Sequence, residues 1–234
     1  GIAGVRYSID YPVEYTETNI LGTSKLLDYI EETEKFVFAS SSSIYGNVPV
    51  EDLPVSEDYS DKNPIAPYPL SKLHCEEMIE LYSKLYDIPF ATLRYFTVYG
   101  ARQRPDEAFT KFIIKAIKDE EIPIYGDGEQ SRDFTHVSDI VKANVLAAEK
   151  GKGVYNIGSG RRITVNQMVK AIDEEMSAEV ASEHVEKPEG DVNHTHADIS
   201  KAKDEIGYNP KKEFEEGVEE CVKWCMEMKK KELL

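Results

Sequence analysis

The 234-residue sequence predicts an α/β fold: a doubly wound parallel sheet carrying a smaller α/β lobe. Three observations predict it. Strand-like runs alternate with helical runs long enough to cross back over a sheet, the order that builds parallel βαβ units. The run Phe36-Val37-Phe38-Ala39 is apolar throughout, as a strand covered on both faces is. It leads into Ser40-Ser41-Ser42-Ser43-Ile44-Tyr45-Gly46, a hydroxyl cluster at a strand end, where an open α/β sheet presents its chemistry.

Tyr15 to Glu32 carries Ile20, Leu26, Leu27 and Ile30 at helical spacing, which predicts a helix. A strand over Lys35 to Ala39 follows, then a loop rich in proline and aspartate to Pro67. Tyr68 to Tyr86 reads as a second long helix and Phe90 to Tyr95 as a second strand. After Gly100 the rhythm loosens into a helix near Phe109 to Lys118, a short strand at Ile124 and a segment around Phe134. A helix from about Ser138, a strand over Val154 to Ile157, a helix from Val165 and two short C-terminal helices complete the chain. No internal repeat or low-complexity tract interrupts this order.

The formal net charge of −16 argues against nucleic acid and anionic membrane as partners, since both select a basic face. Acid-rich surfaces ordinarily serve solubility. No apolar run is long enough for a bilayer and no cleavable signal pattern is present. Cys75, Cys221 and Cys225 make neither a zinc nor a redox spacing, so reduced thiols and a cytoplasmic location are expected. His194-Thr195-His196 has a ligand-like spacing without a third partner, and no metal is expected there.

Tyr68-Pro69-Leu70-Ser71-Lys72 sets a phenol and an ammonium on one helical face, because positions i and i+4 superpose. A cation held near a phenol favours the phenolate and brings it toward the range of a general base. The spacing alone is common. Tyr208 to Lys212 repeats it, but Pro210 lies inside that copy and makes a continuous helical turn unfavourable.

Six segments in order carry a family likeness: Asn19-Ile20-Leu21-Gly22-Thr23, Ser40 to Gly46, Tyr68 to Lys72, Leu93-Arg94-Tyr95-Phe96, Tyr125-Gly126-Asp127-Gly128 with Arg132-Asp133-Phe134, and Tyr155-Asn156-Ile157-Gly158. Through them essentially the whole chain resembles the extended short-chain dehydrogenase/reductases, in particular the nucleotide-sugar epimerases and dehydratases. The resemblance implies NAD as cofactor, a UDP-sugar as substrate and a homodimer formed through the two long helices. It implies a division into 1–100, the remainder of a dinucleotide-binding domain with the catalytic residues, and 101–234, mainly a substrate lobe interleaved with the last strands. Family members begin with a strand and a Gly-x-x-Gly-x-x-Gly turn that holds the cofactor pyrophosphate. This chain opens at Gly1 with what resembles the loop after the family's fourth strand, and so looks like an N-terminally truncated member. Tyr155 to Gly160 offers a Gly-x-Gly after a strand, but its third glycine position is Ile163, and the family has this segment in the substrate lobe.

In family terms Tyr68 is the general base, Lys72 holds the nicotinamide ribose and lowers the Tyr68 pKa, and Ser41 bonds the reacting hydroxyl. Asn19 matches a position near the cofactor, with helix capping as its alternative. Phe96 would flank the nicotinamide, although a strand phenylalanine is core by default. Ser42 and Ser43 stand where the 4,6-dehydratases place an Asp-Glu pair. Two serines cannot supply that acid and base, so dehydration is disfavoured and 4-epimerisation is the simplest outcome. Arg132 matches an arginine that contacts the diphosphate, a contact its planar fork suits. Tyr125 resembles a position near the uracil and Phe109 a nearby base contact, with core packing equally open for both. Thr97 replaces the asparagine usual in glucose/galactose epimerases. The run to Asp106 resembles epimerases of UDP-glucuronate, where Thr97 and Arg104 can receive a C6 carboxylate. Lys187 stands beside Pro188, which replaces a second diphosphate-binding arginine. The competing substrate pairs are therefore glucose/galactose and glucuronate/galacturonate. A UDP-glucuronate decarboxylase-type relative and a catalytically silent, UDP-sugar-binding fragment are the alternatives.

Overall fold

The computed structural model describes residues 1–30, 33–177, 180–186 and 192–233. After the loop at 1–4 come α1 (Val5–Asp10) and a continuous helical run made of α2 (Pro12–Tyr15), a π-helical turn (Thr16–Leu21) and α3 (Gly22–Asp28). β1 (Phe36–Ser41) runs into a 3₁₀ turn at Ser42–Tyr45, and a second 3₁₀ turn spans Val50–Asp52. α4 (Pro67–Tyr86), β2 (Phe90–Tyr95) and β3 (Thr97–Tyr99) follow. Next are α5 (Ala108–Ile117), β4 (Ile122–Tyr125), β5 (Ser131–Arg132), β6 (Phe134–His136) and α6 (Val137–Lys150). The chain continues with β7 (Gly153–Ile157), β8 (Ile163–Thr164), α7 (Val165–Met176), β9 (Ser182–Val185), α8 (Ser200–Ile206) and α9 (Phe214–Lys230).

Three strands form the main sheet in the order β1-β2-β7, all parallel, so the expected parallel α/β architecture is present. Register sets Ser41 beside Tyr95 and Tyr95 beside Ile157, which aligns the three C-terminal strand ends. Two-stranded pairs build the rest: β3 with β6 and β4 with β9 in parallel, β5 with β8 antiparallel.

Three apolar clusters hold these layers. One under the sheet joins Ile44, Leu93, Phe96 and Ile157 to Ala143 of α6 and to Ala202, Ile206 and Tyr208. A second packs Tyr99, Phe109 and Ile113 against Met168, Ile172, Phe214 and Val218. The third sets Leu27 and Phe38 against Cys75 and Ile79 of α4. Each fully buried aliphatic or aromatic side chain in them contributes about 1.5–3 kcal/mol.

Some expectations need correcting. The last helix is 17 residues long, because Phe214, Val218, Cys221, Val222 and Cys225 recur at helical spacing and bury against α5 and α7. The first long helix begins at Pro12 and ends at Asp28, with Tyr29 as C-cap; Glu31 and Glu32 lie outside the described residues. Leu26 on that helix is exposed while Leu27 is buried. β1 reaches two residues further than Ala39, to Ser41. The segment Tyr208 to Lys212 is not helical, and the Tyr208 hydroxyl donates to the Gly158 carbonyl at 2.9 Å. Among the described residues no helix is long and apolar enough to cross a membrane.

Candidate active site

α4 starts with Pro67 and carries Pro69 in the same first turn, where a missing N–H leaves no helical bond unmade. Tyr68 between them faces Ser41 at the C-terminal end of β1, near enough for the serine side chain to pull its pKa down. One turn on, Lys72 is half-buried. Its Nζ donates to the Ala39 carbonyl at 2.8 Å, stands 4.9 Å above the Phe38 ring and lies 6.0 Å from the Tyr68 ring centre. The predicted pair therefore converges on one strand end with Ser41.

Electrostatics differ from the expected simple attraction. Burial is the largest influence on Tyr68 and raises its pKa; the Ser41 hydrogen bond and the charge of Arg104 pull it back down, while Tyr15 and Glu107 push it up. Burial likewise lowers Lys72, against the stabilising charge of Glu76. Lys72 is turned to a backbone carbonyl, so the phenolate is favoured chiefly through Ser41.

Ser41 also caps the 3₁₀ turn. It accepts from the Ser43 N–H at 3.2 Å and shares a 2.8 Å hydrogen bond with the Ser43 hydroxyl. Ser42 lies beside Phe96, Tyr45, His194 and Thr195, lining a small cavity. Below the serines is a buried ionic lattice. Arg94 of β2 grips Glu76 of α4 through Nη2 at 2.7 Å and Nε at 3.1 and 3.2 Å, and its Nη1 reaches the Tyr45 hydroxyl at 2.7 Å. Glu76 also accepts from Ser40, and Tyr45 donates to Asn156 at 2.7 Å. The strand end and α4 are thus tied together directly beneath Ser41.

Asn19 sits in the π-helical turn, a distortion that recurs at functional sites. It is buried, and its amide accepts from the Ile2 N–H at 2.8 Å and donates to the Ile2 carbonyl and to Ser71 Oγ, each at 3.0 Å. Ser71 in turn donates to the Tyr68 carbonyl at 2.7 Å. Asn19 therefore fastens the opening loop to α4. A half-buried ammonium bonded to a strand carbonyl, beside a phenol and a serine, is a donor set that fits the ribose end of a dinucleotide.

The remaining candidates lie in different surroundings. Thr97 opens β3, half-buried, its N–H on the Asp133 carbonyl at 3.0 Å. Arg104 is exposed, and its Nη2 meets Glu107 at 2.6 Å and Asp106 at 3.2 Å. Arg132 is half-buried and donates to the Val192 carbonyl at 2.8 Å and the Asn193 carbonyl at 3.1 Å. Tyr125 is half-buried with the Arg6 guanidinium 5.4 Å from its ring centre. Phe96 is 3% exposed and packs at 6.4 Å against Tyr45. Phe109 is a correction: its ring stacks on Tyr99 at 4.6 Å and meets Phe134 and Phe214, which makes its side chain core rather than a base contact. Lys187 lies outside the described residues. His194 bonds Ser131 and His196 bonds the Gly160 carbonyl, and among the described residues no cluster of His, Cys, Asp or Glu is placed to hold a metal.

The glycine segment after β7 is filled from within. Asp133 Oδ1 accepts the Ser159 N–H at 2.6 Å and the Ser159 hydroxyl at 2.7 Å; Oδ2 accepts the N–H of Gly160 and of Ala197, each at 3.1 Å. A carboxylate therefore holds the amides that a phosphate would need. A Cβ at Gly158 would stand 2.5 Å from the Ala197 Cβ, so the close approach requires glycine.

Sequence reasoning missed Ser8, Tyr15 and Ser71, which touch Tyr68 directly, and the Arg94–Glu76 pair. Only Glu76 had a readable signal, since it continues the Tyr68, Lys72 face by one more turn.

The profile of the NAD dependent epimerase/dehydratase family matches residues 1–158. The fold is similar to a UDP-glucose 4-epimerase of Thermotoga maritima solved with UDP-glucose, at 36% identity and a TM-score of 0.92, covering 97% of this chain and 75% of that one. It is similar at 34% identity and a TM-score of 0.92 to a UDP-N-acetylglucosamine 4-epimerase of Methanobrevibacter ruminantium in complex with UDP-N-acetylmuramic acid, with the same coverage. A UDP-glucuronic acid 4-epimerase of Bacillus cereus, solved with UDP-glucuronic acid and NAD, matches at 34% identity and a TM-score of 0.90 over 97% of this chain and 74% of that one. Likeness of sequence and fold over nearly the whole chain, with a tyrosine, lysine and serine gathered at one strand end, makes this chain a member of the NAD-dependent epimerase/dehydratase family.

Proposed function

We propose that the chain carries the catalytic face of a UDP-sugar 4-epimerase. The observation that carries this reading is the approach of Tyr68 to Ser41 at the end of β1, with Lys72 one helical turn behind it and its Nζ 6.0 Å from the Tyr68 ring centre. As a phenolate, Tyr68 removes the proton of the sugar 4-hydroxyl, while the Ser41 hydroxyl bonds the same oxygen and steadies the charge it gathers. Bound NAD supplies a reversible hydride acceptor at C4. After the 4-keto sugar turns over, the Tyr68 phenol returns its proton to the oxygen as C4 regains the hydride on its other face. Lys72 would hold the cofactor ribose through its ammonium, Phe96 would edge the nicotinamide, and Asn19 shapes that side by fixing the opening loop.

Elimination is not supported. Ser42 and Ser43 carry no acid, and the neighbouring carboxylate, Glu76, is locked by Arg94 and Ser40. On the substrate side Arg132 would meet the diphosphate and Tyr125 the uracil. Thr97 and Arg104 would face C6, where a neutral hydroxymethyl and a carboxylate are the two candidates. Arg104 is exposed and its partners are surface carboxylates, so a ligand carboxylate can exchange for them.

The test is an assay of the complete, NAD-loaded protein with UDP-galactose and UDP-galacturonate, with Tyr68→Phe as control. Full activity in Tyr68→Phe sinks the mechanism. Arg104→Leu lowers turnover of the uronate selectively if the carboxylate role is right; equal loss on both sugars rejects it. The exposed Leu70, Leu81 and Leu85 of α4 and Leu21 of the neighbouring helix support a homodimer through these helices, to be read by sedimentation.

A further inference from the structure

We propose that Ser8 and Tyr15 are positioning residues that clamp the catalytic tyrosine, one by its backbone and the other by its ring. The proposal rests on the epimerase reading for its effect on rate, and on geometry alone for the clamp.

The first arm follows from the start of α4. Pro67 and Pro69 have no N–H, and the Leu70 N–H reaches the Ala66 carbonyl at 3.2 Å. Tyr68 is left as the one donor of that first turn between two prolines, and Ala66, the N-cap, has no polar side chain to receive it. Ser8 of α1, 60 residues earlier and 0% exposed, accepts the Tyr68 N–H on its Oγ at 3.0 Å and donates to the Val5 carbonyl at 2.6 Å. A serine on another element thus caps the helix at the catalytic residue itself.

The second arm is aromatic. Tyr15 is 0% exposed and meets the Tyr68 ring edge to face, with centres 6.0 Å apart and planes at 73°. Its hydroxyl points away, donating to the carbonyls of Ala3 at 2.9 Å and Gly4 at 3.0 Å. That proton is engaged, so Tyr15 is an anchor and not a relay. Gly4 has φ +120, and a Cβ there would stand 3.2 Å from the Tyr15 hydroxyl, so the loop follows the anchor closely.

The groups facing the Tyr68 phenol are Ser41 from the end of β1, Tyr15 from the first helical run, Arg104 and Glu107 from the segment before α5, and Lys72 from its own helix. Of these, the approach of the Ser41 hydroxyl depends most steeply on position. Loosening either arm lets the phenol move away from Ser41, whose hydroxyl favours the phenolate. Activity that needs the phenolate then begins at higher pH.

The experiment compares Ser8→Ala, Tyr15→Phe and the conservative Ser8→Thr in the complete NAD-loaded protein. It reads kcat, KM and the pH profile, together with a ¹³Cζ-tyrosine NMR titration of Tyr68 without cofactor or substrate. Ser8→Ala is expected to lower kcat roughly tenfold or more with little change in KM, since small misplacements of a catalytic group act on rate. It also moves the rising limb to higher pH, and Ser8→Thr restores both. A loss that only follows the folded fraction, with the limb and the Tyr68 titration unmoved, overturns the proposal. If Ser8→Ala does not fold, Tyr15→Phe keeps the ring, loses the loop anchor and must lower kcat with little change in KM; an unchanged kcat in a folded Tyr15→Phe overturns the proposal. A wild-type protein inactive on every UDP-sugar removes the epimerase reading but not the clamp. The Tyr68 titration then decides alone: a shift in Ser8→Ala supports the clamp and no shift rejects it.

Discussion

Replacing Glu76 by glutamine is the most demanding test of the structure. The Glu76 and Arg94 side chains are 6% and 5% exposed and paired at 2.7 Å, with two further contacts from Nε. Glutamine keeps the size and one acceptor oxygen but turns an NH₂ group toward the guanidinium, and the arginine remains charged. Leaving a buried charge without its counter-charge costs about 3–5 kcal/mol. A chain of this length loses about 2–4 °C in Tm per kcal/mol, so Tm should fall by about 6–20 °C. Circular dichroism melts and urea midpoints on the complete protein measure it. Exchanging both partners, Glu76→Leu with Arg94→Met, removes both charges and should cost less than the two single changes together, because an apolar pair of similar volume is often neutral. A Tm within about 3 °C of wild type for Glu76→Gln, or a strictly additive cycle, would refute the buried pair as the link between β2 and α4.

Three further outcomes are expected. Ser41→Ala removes the hydroxyl that lowers the Tyr68 pKa; because activity rises as the phenol ionises, the rising limb shifts to higher pH and kcat falls by about 10²-fold, read from a pH–rate profile. Asp133→Ala leaves the Ser159 and Gly160 amides without an acceptor, at about 1–3 kcal/mol for each orphaned donor, so their hydrogen exchange should speed up about a hundredfold. Gly46→Ala sets a Cβ 2.1 Å from the Asn63 carbonyl oxygen at φ +67, and a cost of at least about 1–3 kcal/mol should appear as a lower urea midpoint.

What could be read from the sequence was local. Phe36 to Ala39 declares a strand by continuous apolar character, and Tyr68 with Lys72 declares a shared face by spacing alone. Ser8 and Ser71 could not be found this way. Ser8 acts across 60 residues, and Ser71 takes its hydrogen bond from Asn19 across 52. Phe109 and Tyr125 look alike in a sequence, because an aromatic residue does not reveal whether its ring meets core or ligand; packing against Tyr99, Phe134 and Phe214 decided the first. The sign of the Tyr68 shift was hidden for a related reason. Spacing places a cation near a phenol, whereas burial, the larger influence, depends on everything else packed around it.

The π-helical turn at Thr16–Leu21 has a consequence for how this segment can change. An α-helix advances each residue by a fixed rotation, so its two ends share one angular phase, and a π turn stores an offset between them. Here the part before the turn presents Tyr15 to Tyr68, and the part after it presents Leu27 to Phe38 and Ile79. At unchanged length, a return of this turn to regular α-helix would rotate one half against the other by roughly a quarter turn. Either the aromatic contact or the apolar one would then face the wrong way. Substitutions along this helix can be absorbed one at a time, but at this length the π turn between Tyr15 and Leu27 is required by two partners that must be met together.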